Sequence, residues 1–442
     1  MASEDPHLTG KIGEAYSKGF QDGKLDGRFL LGIITLKHWA AYNVEHNRGG
    51  YNSVVEAYDL GDSYLSGWRT AVVKGKAAGV MCSYNAINGV PTCASNQLNQ
   101  LLRETWKFDG YSTSDSGAIS DIYNAHGYCH GGENAAALAI EAGCDVNSGN
   151  VYSSNVGLGL LNPASPLHNE SAVDLALTHA FRVRMRLGLF DDPADQPYEK
   201  YGPDAVGSPA HHALSALASR AGMTLLKNAP LAGDPGRRAV LPLAKGMKLA
   251  VIGANAETKT LMAGGTGGGL LSATVVCKCA TSATDWCCLD SPADALNASN
   301  TGGSATVSPG ASIHGIGSAD RQAIAAAVTS AKAADAVVFV VGGDWKLEHE
   351  GMDRTSIDMP GLQADMVAAV AEAVGQKVPL IAVLVHGSSM DISTVLSKCH
   401  GVIDAFYPGI HGAAAIAETI FGDNNPGGKL PFTMCEDGFG LL

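Results

Sequence analysis

Two blocks of alternating strand-like and helix-like pattern run along the chain, and this alternation limits the possible folds more than any other feature. In the first block RFLLGIITLKH precedes the helical stretch NSVVEAYDLGDSYLSGWRTAVVKGK. GVMCSYNA, the helical NQLNQLLRETWKF, YSTSDS, the helical ENAAALAIEAG and CDVNSG follow, and the amphipathic SAVDLALTHAFRVRMRLGLF closes the block. Strands separated by helices pair in parallel through helical crossovers. Each strand run ends in polar residues: Lys37 and His38; Ser83, Tyr84 and Asn85; Ser114, Asp115 and Ser116; Asp145 and Asn147. In a β/α barrel such ends form the active-site face, but a closed barrel needs eight strands and about 250 residues. With four strands legible, the expectation over residues 1–190 is a partial TIM-type β/α barrel.

DDPADQPYEKYGPDAVGSP, rich in proline, acid and glycine and without apolar periodicity, reads as a linker over 191–207. The second block, 208–442, opens with the helical stretch HHALSALASRAGMTLLKNA and continues through the strands KLAVIGAN, DAVVFVVGGD, PLIAVLVHGS and GVIDAFYP. Ala-rich helices such as RQAIAAAVTSAKAA and LQADMVAAVAEAVG separate them. Near-continuous apolar strands belong to a sheet covered on both faces, which predicts a doubly wound α/β layer. A Gly, Ser, Thr and Cys-rich insertion at about 263–309 carries no periodic pattern and is left without assigned structure.

Charge narrows the partners. Lys and Arg number 30 against 43 Asp and Glu, a formal net charge of −13 with no clustered basic run, which argues against a nucleic-acid binder and against an anionic membrane surface. AVVFVV and LIAVLV are far shorter than the ~18 residues that span a bilayer, and MASEDPHLTG has no signal-peptide pattern. Cys82 and Cys93 flank the turn-rich SYNAINGVPT and would close a small disulfide loop in an oxidising compartment, while Cys277, Cys279, Cys287 and Cys288 crowd one segment. Sequons stand at Asn169 and Asn297. Together they lean towards a secreted protein.

Several motifs invite chemistry and fall short of it. GGTGGGLL could cradle a phosphate, yet it lacks the Gly-Lys-Ser/Thr ending and the dinucleotide spacing. Ser388 and Ser389 in HGSSMD resemble a hydrolase elbow, but Met390 replaces the second flanking glycine, so a strand-end turn is the simpler reading. His126, Cys129, His130 and Glu133 are spaced like metal ligands without a second cluster to complete a site, and a solvated loop accounts for them. The carboxylates say more. Asp115 ends a strand among small neighbours, open to a cleft. Glu348, Glu350 and Asp353 in LEHEGMDR begin a loop at the C-terminal edge of the second sheet, where open α/β sheets bind ligands. A surface pairing of Arg354 with one of these acids is an equal alternative. Lys37 and His38 need partners, either sugar hydroxyls or a salt bridge.

At these residues the sequence resembles the glycoside hydrolase family 3 enzymes, particularly their β-D-xylosidase branch. The likeness runs in order through SEDPHLTGKIGEAYSKGFQDG, LKHWAAYNVE, VMCSYNAINGVPTCAS, GYSTSDSGAISDIY, AGCDVN, RMRLGLFDDP, TLLKNAPL, EGMDR and YPGIHGAAAIAETIFGDNNPGGKLPFT. The resemblance implies that Asp115 is the nucleophile and Glu350, before Gly-x-Asp-Arg, the acid/base, with Glu348 next in line. It places Lys37, His38, Met81 and Tyr84 around the sugar, and the small Ser116 after the nucleophile fits xylosidases better than β-glucosidases.

The implied reaction is a retaining, exo-acting release of β-D-xylosyl residues from xylo-oligosaccharides. It needs two carboxyl groups about 5 to 5.5 Å apart and no metal or cofactor. Lys37 is the expected electrostatic partner that keeps Asp115 ionised. β-Glucosidase or α-L-arabinofuranosidase activity, or an inactive carbohydrate-binding remnant, are the alternatives. Family members begin upstream of the EDP segment and xylosidases continue past MCEDGFGLL, so the resemblance also implies a chain truncated at both ends and, by family habit, secreted.

Overall fold

The structure, a computed structural model, describes residues 3–22, 27–165, 167, 170–233, 236, 238–262, 273 and 277–436. It divides into two compact units, Met1–Pro203 and Asp204–Leu442. The GGTGGG run and the sequon at Asn169 lie outside the described residues.

In the first unit, β1 (Thr35–Trp39), β2 (Gly79–Cys82) and β3 (Tyr111–Ser114) form a parallel sheet in that order. Thr113 then bridges in parallel to Val146, so the four runs read from the sequence stand side by side in chain order, as consecutive strands of a β/α barrel do. Helices Ser66–Val73, Gly131–Glu141 and Ser171–Arg186 fill the expected places. The stretch from Asn52 departs from a single helix. Asn52–Ser53 is instead a short strand on the Ala86–Ile87 hairpin, because the Asn88 side chain pairs with both the N–H and C=O of Val55 at 2.9 Å and holds that segment extended.

The side chain of Asp145, at the start of the fourth run, is buried. It accepts from Arg103 Nη2 at 2.6 Å and the Ser112 amide at 2.7 Å, and bonds His179 Nδ1 at 2.8 Å. These bonds tie two strands to the closing helix. Cys82 and Cys93 form the disulfide that their spacing suggested.

The second unit holds a six-stranded sheet made of β4 (Thr224–Asn228), β5 (Lys248–Ile252), β6 (Ser304–Ser308), β7 (Ala336–Gly342), β8 (Leu380–Val385) and β9 (Gly401–Asp404). Their order is β4-β9-β8-β7-β5-β6, parallel except for β4. Every residue of β7 and β8 is buried, and alternate side chains serve opposite faces. Val338 and Val340 pack with Ile416 and Ile420 of helix Gly412–Phe421. Val337, Phe339 and Val341 pack with Met366, Val367 and Val370 of helix Gln363–Val374. This is the doubly wound layer that the uninterrupted apolar runs implied.

Two expectations change here. The stretch HHALSALASRAGMTLLKNA is helical only over Pro209–Gly222, and TLLKN becomes the antiparallel edge strand β4, because pairing with β9 satisfies backbone groups that a longer helix would have kept to itself. The region at 263–309 holds a helix, Pro292–Ser299, and the edge strand β6. The helix starts in a capping box, Ser291 with Asp294, and has Pro292 in its first turn. No helix among the described residues is long and apolar enough to cross a membrane.

Candidate active site

The end of β3 runs directly into a tight turn. The Ala118 amide donates to the Asp115 carbonyl at 3.1 Å, and Gly117 takes the third turn position at φ +84°, where a side chain would be strained. The turn holds the Asp115 backbone rigidly while its amide donates to the Cys82 carbonyl of the neighbouring strand at 3.0 Å. Its carboxylate is mostly enclosed. Oδ2 lies 3.1 Å from His38 Nε2 and Oδ1 accepts from the Ser116 amide at 2.7 Å. Burial pushes the Asp115 pKa up, but the hydrogen bonds from His38 and the Ser116 amide outweigh it, and the carboxyl is held below its ordinary value.

The partner of Asp115 is therefore His38 rather than Lys37, whose side chain is turned to solvent. Spacing alone does not separate two adjacent strand-end residues; the short, rigid imidazole is the one that reaches. Around this pair the Tyr84 hydroxyl donates to the Ser116 carbonyl at 3.1 Å, and the Ser116 and Ser148 hydroxyls are 3.0 Å apart. Met81 is half-buried on β2, in register with Thr113 of β3.

Sequence reasoning missed Tyr42 and Arg48. The Tyr42 ring meets His38 edge-on at 5.0 Å, and the Arg48 guanidinium lies 4.6 Å over the Tyr84 ring. Both sit in the aromatic and polar segment just after the Lys-His pair, and nothing in their spacing marked them.

The acids of LEHEGMDR separate into two environments. Glu350 and Gly351 occupy the centre of a second tight turn, closed by the Met352 amide to the His349 carbonyl at 2.9 Å, with Gly351 at φ +86°. Glu350 is exposed there. Glu348 is half-buried and fully engaged: Oε1 accepts from the Gly387 amide at 2.8 Å and the Tyr407 hydroxyl at 2.9 Å, and Oε2 accepts from the Ser388 hydroxyl. It thereby ties the loop after β7 to the loops after β8 and β9. Burial, then the nearby Glu348 charge, pushes the Tyr407 phenol well above its usual range. Arg354 directs its hydrogen bonds to the carbonyls of Ser389 at 3.3 Å and Asp358 at 2.6 Å, so the surface pairing considered for it gives way to a loop-bracing role.

The remaining motifs are dispersed. His126 Nε2 bonds the Tyr84 carbonyl at 2.8 Å, Cys129 Sγ points to the Gly131 carbonyl, and Glu133 accepts from Asn162 at 3.4 Å. Ser388 gives its hydroxyl proton to Glu348, while the buried His386 bonds the Ser388 carbonyl at 2.7 Å and Asp404 at 3.2 Å. A serine nucleophile would need that imidazole on its hydroxyl.

Comparison with known proteins matches residues 2–179 to the glycosyl hydrolase family 3 N-terminal domain and residues 223–438 to the glycosyl hydrolase family 3 C-terminal domain. The chain belongs to glycosyl hydrolase family 3. This family 3 chain is 37% identical over 99% of its length to probable beta-D-xylosidase 7 of Arabidopsis thaliana, of which it covers 54%. It is 35% identical over 97% of its length to beta-xylosidase/alpha-L-arabinofuranosidase 1 of Medicago sativa subsp. varia, of which it covers 52%. It thus spans about half the length of the curated relatives it matches.

Among solved structures it is similar to a family 3 exo-beta-xylosidase (XlnD) in complex with a xylobiose aziridine activity-based probe, with TM-score 0.82 and 30% identity, over 96% of this chain and 52% of that one. A beta-glucosidase from Listeria innocua, at 21% identity and TM-score 0.81 over 98% of this chain and 56% of that one, shares the fold.

Proposed function

We propose that this family 3 chain carries the catalytic residues of a retaining, exo-acting β-xylosidase that removes β-D-xylosyl residues from xylo-oligosaccharides in xylan breakdown. The observation that carries the reading is the enclosed Asp115 carboxylate, kept ionised by His38 and the Ser116 amide at the end of a parallel strand. An anion held ready at low proton affinity is what a glycosyl-accepting nucleophile requires. Asp115 attacks the anomeric carbon, forming an ester to the sugar as the bond to the leaving oxygen breaks. Glu350 delivers a proton to that oxygen, then takes one from the water that hydrolyses the ester. A general acid must start protonated, which a partly desolvated position favours, and Glu350 is exposed instead; it keeps this role here because Glu348 already accepts three hydrogen bonds.

In this reading Lys37, His38, Met81 and Tyr84 hold the sugar, and the small Ser116 leaves room beside the nucleophile. The naming of a similar Medicago relative as a β-xylosidase/α-L-arabinofuranosidase supports arabinofuranosides as a second substrate class. The unit Met1–Pro203 reads as the C-terminal part of the family's β/α barrel. The disulfides Cys82–Cys93, Cys277–Cys288 and Cys279–Cys287 support a secretory route, on which the exposed Asn297 would be a glycan acceptor.

Incubation with a 2-deoxy-2-fluoro xyloside followed by peptide mapping tests the mechanism: label on Asp115 is expected, and no label after long incubation overturns it. Rates on aryl xyloside, glucoside and arabinofuranoside rank the substrates.

A further inference from the structure

The second sheet has an unassigned groove on its loop edge. In the order β6-β5-β7-β8-β9 the chain leaves β5 first to one side and then to the other, so β5 and β7 flank the point where the direction of winding reverses. Open α/β sheets bind small ligands at the strand ends beside such a point. The segment after β5 is fixed to the one after β7 by Asn255 Nδ2, which donates to the Gly343 carbonyl at 3.2 Å. Just beyond it Glu257 and Lys259 line a groove of about 450 Å³, whose other wall is Thr284, Asp285 and Trp286.

That second wall is unusually well braced. Cys277–Cys288 and Cys279–Cys287 are nested disulfides across the same short segment, and Trp286 packs on Cys277 and Leu289 beneath it. Asp285 is set by the Thr281 amide at 2.8 Å and the Thr281 hydroxyl at 2.9 Å. A half-exposed indole on a doubly cross-linked loop loses little freedom when a ligand settles on it. Among the described residues, neither the indole N–H of Trp286 nor the Glu257 carboxylate has a hydrogen-bond partner.

The groove thus offers a flat apolar face with an unused donor on one wall and an unused acceptor on the other. Glu257 and Asp285 repel an anionic ligand, and Lys259, 3.6 Å from Asp294, offsets only part of their charge. A neutral ring with hydroxyls around its edge and C–H bonds on its face satisfies all of these groups. We propose that this groove is a binding site for neutral oligosaccharide, lined by none of the residues around Asp115. The choice of xylo-oligosaccharide as its ligand rests on the proposed function, whereas the site itself does not.

The test is calorimetric titration of xylohexaose into the full chain carrying Asp115→Asn and His38→Ala, which removes turnover and the contacts that these two side chains make to sugar, so that the response to a groove substitution is what reports on the groove. Binding is expected to persist in that background and to weaken at least about ten-fold when Trp286→Ala is added. Unchanged affinity, or no binding at millimolar xylohexaose before Trp286 is altered, overturns the proposal. If Trp286→Ala loses its cooperative melting transition, Glu257→Ala decides, because that exposed side chain supports no hydrogen bond among the described residues: several-fold weakening supports the site and unchanged affinity sinks it. Binding of oligolysine but not of xylohexaose also overturns it. Fluoroxyloside label on Asp115 without groove binding defeats this proposal alone, and groove binding without label defeats the proposed function alone.

Discussion

His38 Nε2 lies 3.1 Å from Asp115 Oδ2, and the Ser116 amide meets the other carboxylate oxygen at 2.7 Å. An aspartate this enclosed would by burial alone resist ionisation, so its low proton affinity is produced by these two donors.

The acid limb of the kcat/KM profile against pH should therefore reflect Asp115 and lie below its ordinary value of 3.8. His38→Ala removes a donor and leaves the burial, so the limb should move to higher pH. A limb that stays in place would mean that another group controls it. Stability follows the same sign. Because the folded pKa is depressed, the contribution of Asp115 is complete above 3.8 and is lost as pH falls from there through the folded value. The melting temperatures of wild type and Asp115→Asn should accordingly draw together as pH falls through that range. At neutral pH Asp115→Asn should lower turnover of aryl xyloside by about four orders of magnitude or more.

The two glutamates of the second unit should separate by leaving-group dependence. Glu350→Ala is expected to lower kcat/KM on substrates with poor leaving groups by about 10² to 10⁴-fold, to leave kcat/KM on dinitrophenyl xyloside little changed while its kcat falls with the loss of the base, and to have that kcat rescued by azide. Glu348→Gln should retain activity within roughly ten-fold, because its amide oxygen still accepts from Gly387 and Tyr407 and its nitrogen can donate to Ser388. Glu348→Ala leaves those donors unmatched and should cost about 1 to 3 kcal/mol in urea unfolding. Azide rescue of the Glu348 variants instead would exchange the two roles.

What could be read in advance follows from where the physical constraint is local. AVVFVV and LIAVLV announce β7 and β8 because both faces of those strands are buried, and no solvent-facing residue interrupts the run. β4 and β6 are edge strands with exposed residues, and Ser304–Ser308 offers little apolar pattern; what makes them strands is a partner distant in sequence. The site divides in the same way. Asp115 stands out as an acid among small residues at a strand end, a local signal, whereas only the family resemblance separates Glu350 from Glu348 and Asp353 in LEHEGMDR. That His38 rather than Lys37 meets Asp115, and that Glu348 is anchored by Ser388 and Tyr407, depends on contacts between residues tens of positions apart.

Asp145 should be the most sensitive polar residue of the first unit. Its carboxylate is buried and engaged by Arg103, His179 and the Ser112 amide. Asp145→Ala would strand a buried guanidinium and an amide between two strands, at an expected cost of about 3 to 5 kcal/mol. Urea denaturation followed by far-UV circular dichroism measures it. A loss under 1 kcal/mol, the level of an exposed pair, would show that the network contributes little.

Thiol reactivity should follow burial. Cys144 lies with its Sγ 3.8 Å from Cys82 Sγ, yet burial pushes its pKa up to about 12, and Cys399 is raised to about 12 in the same way. The thiolate is the reacting species, so at pH 8 both are almost entirely protonated as well as enclosed. Cys129 is also raised by burial, but it and Cys435 are partly exposed. Brief treatment of the native protein with iodoacetamide should alkylate Cys435 and Cys129 first and leave Cys144 and Cys399 unmodified until urea is added. Mass spectrometry of tryptic peptides reads the order directly. Early modification of Cys144 would mean that the packing around the Cys82–Cys93 bridge opens readily, and in that case the strand end that holds Asp115 would be far less rigid than its hydrogen bonds imply.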